Sequence, residues 1–177
     1  MWVLGAAYNV DPNGGVRNIR DMFNKTFDVN VSGAYVVTHV FMPLLLRSAD
    51  PRLLFLTSGL SSLSRTSEQF YPIAAPPPAG WPKPVPIGTT AYRSTKTALN
   101  MLMVNLNFFL TEDRVKVWSI SPGFLATGLS GVGADALRKR GAGEPAVGGN
   151  FIKDVVEGKR DADAGKAVFN DGSNQPW

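Results

Sequence analysis

Val115-Lys-Val-Trp-Ser-Ile-Ser-Pro-Gly-Phe-Leu-Ala-Thr127 reads as a buried strand running straight into a Pro-Gly turn. A short apolar run bounded by turn residues is the pattern of a strand covered on both faces. Arg52-Leu-Leu-Phe-Leu-Thr-Ser58 has the same plan, with four apolar residues in a row and hydroxyls at its end. Strands covered on both faces belong to parallel sheets flanked by helices. Two long helical patterns surround them. Over residues 18–47, Met22, Phe23, Phe27, Val31, Tyr35, Thr38 and Met42 fall three and four apart. A second set, Ala34, Val37, Phe41, Leu44 and Leu45, widens the stripe. Such a helix is either deeply buried or shared between the sheet and a partner. Residues 90–110 form a second helix, apolar nearly all round after Asn100. Lys166-Ala-Val-Phe169 reads as a last strand, and 134–140 and 149–157 as short helices. The pattern predicts an α/β fold. Three or four parallel strands form one domain spanning residues 1–177, with 52–57 and 115–120 adjacent at its centre.

Composition removes several classes of function. A length of 177 residues suffices for one domain with a real core. The net charge of +4 is mild, and the basic residues are scattered apart from Arg138-Lys-Arg140, a solvated helix face. No basic stripe with interleaved aromatics points to nucleic acid. With no Cys there are no disulfides or thiolate metal sites. The single His39 lies in an apolar stretch and is expected in a core or an interface. No apolar run approaches the ~20 residues that span a bilayer. Residues 1–10 lack a basic n-region and fit a truncated strand better than a signal peptide. A cytoplasmic protein without membrane or nucleic-acid partners is expected. Residues 64–90 hold seven of the thirteen prolines and are expected to form a stiff insertion loop over the site. No Pro-x-x-Pro spacing occurs there, so the loop is not read as a signalling ligand. Phe70, Tyr71 and Trp81 are candidates for a substrate wall.

Tyr92 and Lys96, in Ala91-Tyr-Arg-Ser-Thr-Lys-Thr-Ala-Leu-Asn100, sit four apart where the second helix begins. Residues i and i+4 share one helix face. An ammonium beside a phenol favours the phenolate, so the Tyr92 pKa is expected to fall and the group to serve as a general acid or base. The spacing alone also describes an exposed helix pair. Other residues agree with the chemical reading. Ser58 closes one strand, Pro122-Gly123 follows another, and functional groups on parallel strands gather at the carboxyl ends. Each has a plainer role beside it. Ser58 could cap a turn, with Thr57, Ser61 and Ser62 as nearby competitors. Asn30, in Val29-Asn-Val-Ser-Gly33, could be a packing amide, and Thr127 an N-cap.

Taken in order, Asn30, the strand ending at Ser58, Tyr92-x-x-x-Lys96 and Pro122-Gly-x-x-x-Thr127 resemble the short-chain dehydrogenase/reductase family over residues 16–172. The resemblance implies a Rossmann-type fold, an NAD(P)(H) cofactor and a small carbonyl or alcohol substrate. It implies a catalytic set of Asn30, Ser58, Tyr92 and Lys96. Tyr92, Lys96, Pro122, Gly123, Leu125 and Thr127 would hold the nicotinamide end of the cofactor. It further implies a homo-oligomer paired through the helices that carry Asn30 and Tyr92. The sequence departs from the family in three places. The opening Thr-Gly-x-x-x-Gly-x-Gly turn is missing. Gly5-Ala-Ala-Tyr-Asn9 stands where the family has Asn-Asn-Ala-Gly. Ser58 and Tyr92 are 34 positions apart, more than the family usually has. Thr127-Gly-Leu-Ser-Gly-Val-Gly133 has one residue too few between its glycines to replace the missing turn, and it follows the Pro-Gly segment where the family has its substrate loop. The expectation is the catalytic C-terminal part of the fold without the first βαβαβ strands, its first strand an exposed edge. The choice of NAD or NADP stays open, since it depends on residues after the second strand of the missing half. Two functions remain in view: an oxidoreductase, and a non-catalytic reductase-like interaction partner.

Overall fold

Leu53, Leu54 and Phe55 are buried on alternate faces of one strand, and Val117, Trp118 and Ile120 repeat this on its neighbour. Both faces of the sheet are therefore covered, which is why these strands read as unbroken apolar runs. The computed structural model describes residues 2–3, 15–69, 75–81, 83, 89–129, 131 and 133–177. Four parallel strands run in the order β1 (Trp2–Val3), β2 (Arg52–Leu56), β3 (Lys116–Ser121), β4 (Ala167–Phe169). Leu54 faces Trp118 in register, as expected for adjacent central strands. The first strand lies at one edge. At the other, residues 173–175 return antiparallel and cover β4 through Phe169 N–H to Ser173 O and Gln175 N–H to Ala167 O. Covering an edge in this way prevents pairing with another chain.

Helices α1 (Gly15–Phe27) and α2 (Ala34–Leu45) are joined without a break by a π-helical turn at Asp28–Gly33. α3 (Leu63–Glu68) follows β2, and α4 (Thr90–Phe109) leads to β3. α5 (Ala134–Lys139) and α6 (Pro145–Val156) lead to β4. On one face of the sheet Ala34, Leu99, Met103 and Leu106 of α2 and α4 pack on Leu53, Phe55 and Val117. On the other, Phe151, Ile152 and Val155 of α6 pack on Leu54, Trp118 and Ile120. Each large side chain so buried contributes on the order of 1.5–3 kcal/mol. The amino ends of β2 and β3 are closed by ion pairs of Arg52 and Lys116 with Asp50 and Asp161. That leaves the carboxyl ends for chemistry.

Three details differ from the sequence pattern. The buried stripe of the long helix runs four apart through Met22, Ala34 and Thr38 of the sequence pattern but adds the polar Thr26 and Asn30, while Tyr35, Val37, Phe41 and Leu44 are exposed. His39 is exposed too. α3 occupies the first positions of the segment read as a loop, because Ser62 caps it (Arg65 N–H to Ser62 Oγ, 3.2 Å) and the prolines begin only at Pro72. α6 starts earlier than its apolar spacing suggests, since Pro145 is preorganised for a first helical turn. Phe70, Tyr71 and residues 5–9 lie outside the described residues, and Trp81 is exposed.

Candidate active site

Parallel strands end where Ser58 and Pro122 begin, so the two loops that follow β2 and β3 share one rim of the sheet. Ser58 has an extended backbone and opens a tight turn, Gly59–Ser61, with Leu60 N–H donating to its hydroxyl at 3.2 Å. The same hydroxyl faces the Tyr92 phenol closely enough to lower its pKa. Its three competitors face elsewhere. Thr57 Oγ1 bonds Ser61 Oγ (3.0 Å) and lies 3.4 Å from the Lys96 carbonyl, and Ser62 Oγ donates to Pro176 O (2.7 Å).

Tyr92 and Lys96 share one face of α4, with Lys96 Nζ 5.7 Å from the centre of the Tyr92 ring. Lys96 is 2% exposed and donates from Nζ to the Leu56 carbonyl at 2.6 Å. Burial without a carboxylate partner pushes its pKa down to about 8. The Tyr92 pKa is raised, not lowered as the helix spacing suggests. Burial of the phenol is the larger cause, and the Ser58 hydrogen bond pulls the other way. The ammonium is drawn to the end of β2 by the Leu56 carbonyl, and burial decides the direction. Tyr92 therefore keeps its proton at neutral pH, the form a general acid requires.

Asn30 sits in the π-helical turn, wholly buried, and its Nδ2 donates to Thr95 Oγ1 at 3.0 Å. Thr95 in turn donates to the Tyr92 carbonyl at 2.8 Å. Single π turns inside α-helices often mark functional sites. Here the turn brings Asn30 to α4 one step below Tyr92. Thr95 was not singled out from the sequence. The signal was there, a hydroxyl three residues after Tyr92, inside the same short segment as Lys96.

Pro122, Gly123, Leu125 and Thr127 follow β3 on a loop held from behind. Ala126 N–H donates to Gly143 O (2.8 Å) and Gly143 N–H to Phe124 O (2.9 Å). Gly148, at the start of α6, lies so close that an added Cβ would meet Leu125 Cδ1 at 2.5 Å and Pro122 Cβ at 3.0 Å. Gly123 has φ +96° with the Asn170 side chain against it, a position only glycine fits. Thr127 Oγ1 receives Leu129 N–H at 3.4 Å, a local turn contact. Among the described residues no His, Asp or Glu cluster could hold a metal, and no helix is long and apolar enough to cross a membrane.

No family model matches the sequence. Among curated proteins, it is 53% identical over 162 residues to the short-chain dehydrogenase/reductase tropE of Talaromyces stipitatus, covering 90% of this chain and 60% of that protein. It is 43% identical over 180 residues to the short-chain dehydrogenase/reductase eupG of Phoma sp., covering 98% of this chain and 64% of that one. The chain belongs to the short-chain dehydrogenase/reductase family. It spans less than two thirds of the length of these two relatives. Its fold matches that of the NADPH-bound carbonyl reductase from chicken fatty liver, with a TM-score of 0.70 at 18% identity, over 98% of this chain and 63% of that one. The α/β parallel sheet is thus that of short-chain dehydrogenase/reductases.

Proposed function

We propose that these residues form the catalytic part of an NAD(P)(H)-dependent oxidoreductase that interconverts a small carbonyl compound and its alcohol. The observation that carries this reading is the meeting of the Ser58 hydroxyl, at the carboxyl end of β2, with the Tyr92 phenol, the Lys96 ammonium lying on the same helix face as that phenol. A phenol, a hydroxyl and an ammonium fit the nicotinamide–ribose end of such a cofactor, two as donors to ribose oxygens and one beside the reacting carbonyl. The name of the chicken reductase, which includes bound NADPH, supports the same group. When bound, a nicotinamide supplies the hydride.

In the reductive direction Tyr92 gives its proton to the carbonyl oxygen. Ser58 donates to that oxygen as its charge grows. Lys96 is mostly an ammonium at neutral pH and stabilises the phenolate left behind. Asn30, fixed by Thr95, holds a water that returns the proton. Pro122, Gly123, Leu125 and Thr127 cradle the carboxamide, and the anchoring of their loop to Gly143 and α6 supports that role. The same proposal extends to assembly. The exposed apolar sides of α2 and α4 support pairing of two copies through the helices around Asn30 and Tyr92.

The test begins with affinity. The sequence keeps residues for the nicotinamide end and contains no glycine turn for the pyrophosphate, which takes much of its binding from backbone N–H groups at a helix N-terminus. NADH and NADPH are expected to bind the 177 residues in about the millimolar range or weaker, since each ~1.4 kcal/mol lost is tenfold. With an upstream half carrying the glycine turn supplied, binding should return. Tyr92→Phe should then abolish turnover and leave cofactor affinity nearly intact. An unchanged rate in that variant would overturn the assigned acid. Micromolar binding by the 177 residues alone would show the missing contacts to be dispensable.

A further inference from the structure

The Ser61 hydroxyl is 2% exposed and has four polar neighbours within 3.0 Å. They are the Ser58 carbonyl at 2.6 Å, Thr57 Oγ1 at 3.0 Å, Asn100 Nδ2 at 2.9 Å and the Gln175 amide at 2.8 Å. A hydroxyl offers one proton and two lone pairs, three bonds for four neighbours, so Ser61 has no capacity left. Gln175 is equally enclosed, at 4% exposed. With its amide oxygen toward the Ser62 N–H (3.2 Å) and the Ser61 hydroxyl, its nitrogen donates to the Ser58 carbonyl at 3.2 Å. Ser61 N–H reaches the same carbonyl at 2.9 Å. The Ser58 carbonyl is thereby held by the Ser61 N–H and the Gln175 amide, and the single Ser61 hydroxyl proton is shared between that carbonyl and the Gln175 oxygen.

Gln175 comes from the return segment after β4, more than a hundred residues along the chain from Ser58. Its neighbours hold the same turn. Ser62 Oγ donates to Pro176 O at 2.7 Å, Ser64 N–H and hydroxyl both reach Trp177 O, and Arg65 stacks 4.3 Å over the Phe169 ring. Gly59 leaves room for that ring, since a Cβ there would lie 3.2 Å from Phe169 Cε1. A turn that only needed capping would not require a buried amide from the far end of the chain.

We propose that Ser61 and Gln175 are positioning residues that fix the Ser58 hydroxyl against the Tyr92 phenol, so that the return segment after β4 controls the geometry of the acid. This rests on the role proposed for Ser58 and Tyr92. The coupling is read without cofactor, as the titration of the Tyr92 ring by NMR in the 177-residue chain with carbon-labelled tyrosine, assigned by Tyr92→Phe.

The Ser58 hydrogen bond lowers the phenol pKa, so Ser58→Ala should raise it. Gln175→Met keeps the bulk and removes the amide. It and Ser61→Ala should move the titration in the same direction. Ser58→Ala/Gln175→Met should move it no further than Ser58→Ala alone, the mark of a shared path. Ser61→Thr, which keeps the hydroxyl, should restore the wild-type value. Val155→Ala, which loosens the core on the opposite face of the sheet, should lower the melting temperature and leave Tyr92 unmoved.

Titration at the wild-type value in both Gln175→Met and Ser61→Ala, with Ser58→Ala shifted, would overturn the proposal. Should Ser61→Ala fail to fold, Gln175→Met alone decides. No shift in Ser58→Ala would remove the premise and overturn it as well. Coupling of Gln175 to Tyr92 without hydride transfer in the chain joined to a glycine-turn half would sink the oxidoreductase reading and leave this one standing.

Discussion

Lys96 is a cation 2% exposed with a carbonyl, not a carboxylate, as its partner. Its pKa falls from 10.5 to about 8 because burial penalises the charged form. Between those values the unfolded chain holds more protons at this group than the folded one, so stability rises with pH across that window. Below pH 8 the full penalty is present, roughly 3 kcal/mol at about 1.4 kcal/mol per unit. Lys96→Met should therefore stabilise the chain at pH 7, and the gain should shrink toward pH 10. The orphaned Leu56 carbonyl offsets about 1 kcal/mol of it. Urea unfolding at the two pH values checks this, and a loss of stability at pH 7 would refute it. A residue that costs stability where it stands is what a stability–activity trade-off would produce if Lys96 serves the proposed reaction.

At the scale of elements, the helix-to-loop contact behind Pro122 and Leu125 makes a paired prediction. Gly148→Ala puts a methyl 2.5 Å from Leu125 Cδ1 and 3.0 Å from Pro122 Cβ, so the loop or α6 must shift. Overpacking of this kind costs about 1–3 kcal/mol. Gly149→Ala meets nothing within 4 Å on the same helix and should gain about 0.5–1 kcal/mol from helix propensity. Thermal unfolding of the two variants should move in opposite directions, and equal shifts would show that the close approach does not bear on the loop. The strands were legible in the sequence because burial on both faces leaves an unbroken apolar run, as in Leu53–Leu56. So was the face shared by Tyr92 and Lys96, since helix spacing fixes it. The core side of the α1–α2 helix was not. Its buried positions are Thr26, Asn30, Ala34 and Thr38, and Thr26 and Thr38 satisfy their hydroxyls on the carbonyls of Met22 and Ala34 four residues back. An apolar-spacing rule follows the larger residues outward instead. The pKa direction of Tyr92 was missed for a related reason, since depth of burial cannot be read from an i, i+4 spacing. Gln175 carried no local signal at all, because its partners are far away in sequence.

Across the whole molecule, many large apolar residues of the two long helices are on the outside, as a helix shared between the sheet and a partner would have them. Val36, Val40, Phe41 and Leu44 of α2 are exposed, as are Met101, Phe108 and Phe109 of α4, with Phe108 at 76%. Contiguous apolar surface of this kind marks interaction sites. An aromatic side chain buries about 150–250 Å² when covered, so a few of them from each copy make up much of the roughly 1,600 Å² of a standard interface. Pairing of two copies through these helices would leave Ser58 and Tyr92 on the rim of the sheet and stiffen α4, which carries Tyr92. Sedimentation of the 177-residue chain should accordingly show concentration-dependent dimers. Val40→Glu with Phe108→Glu should give monomers, while each monomer loses no more than about 0.5 kcal/mol, the usual limit for surface changes. A wild-type chain that sediments as a monomer at every concentration would end the proposal. Dimers unaffected by the double variant would move the interface to another face.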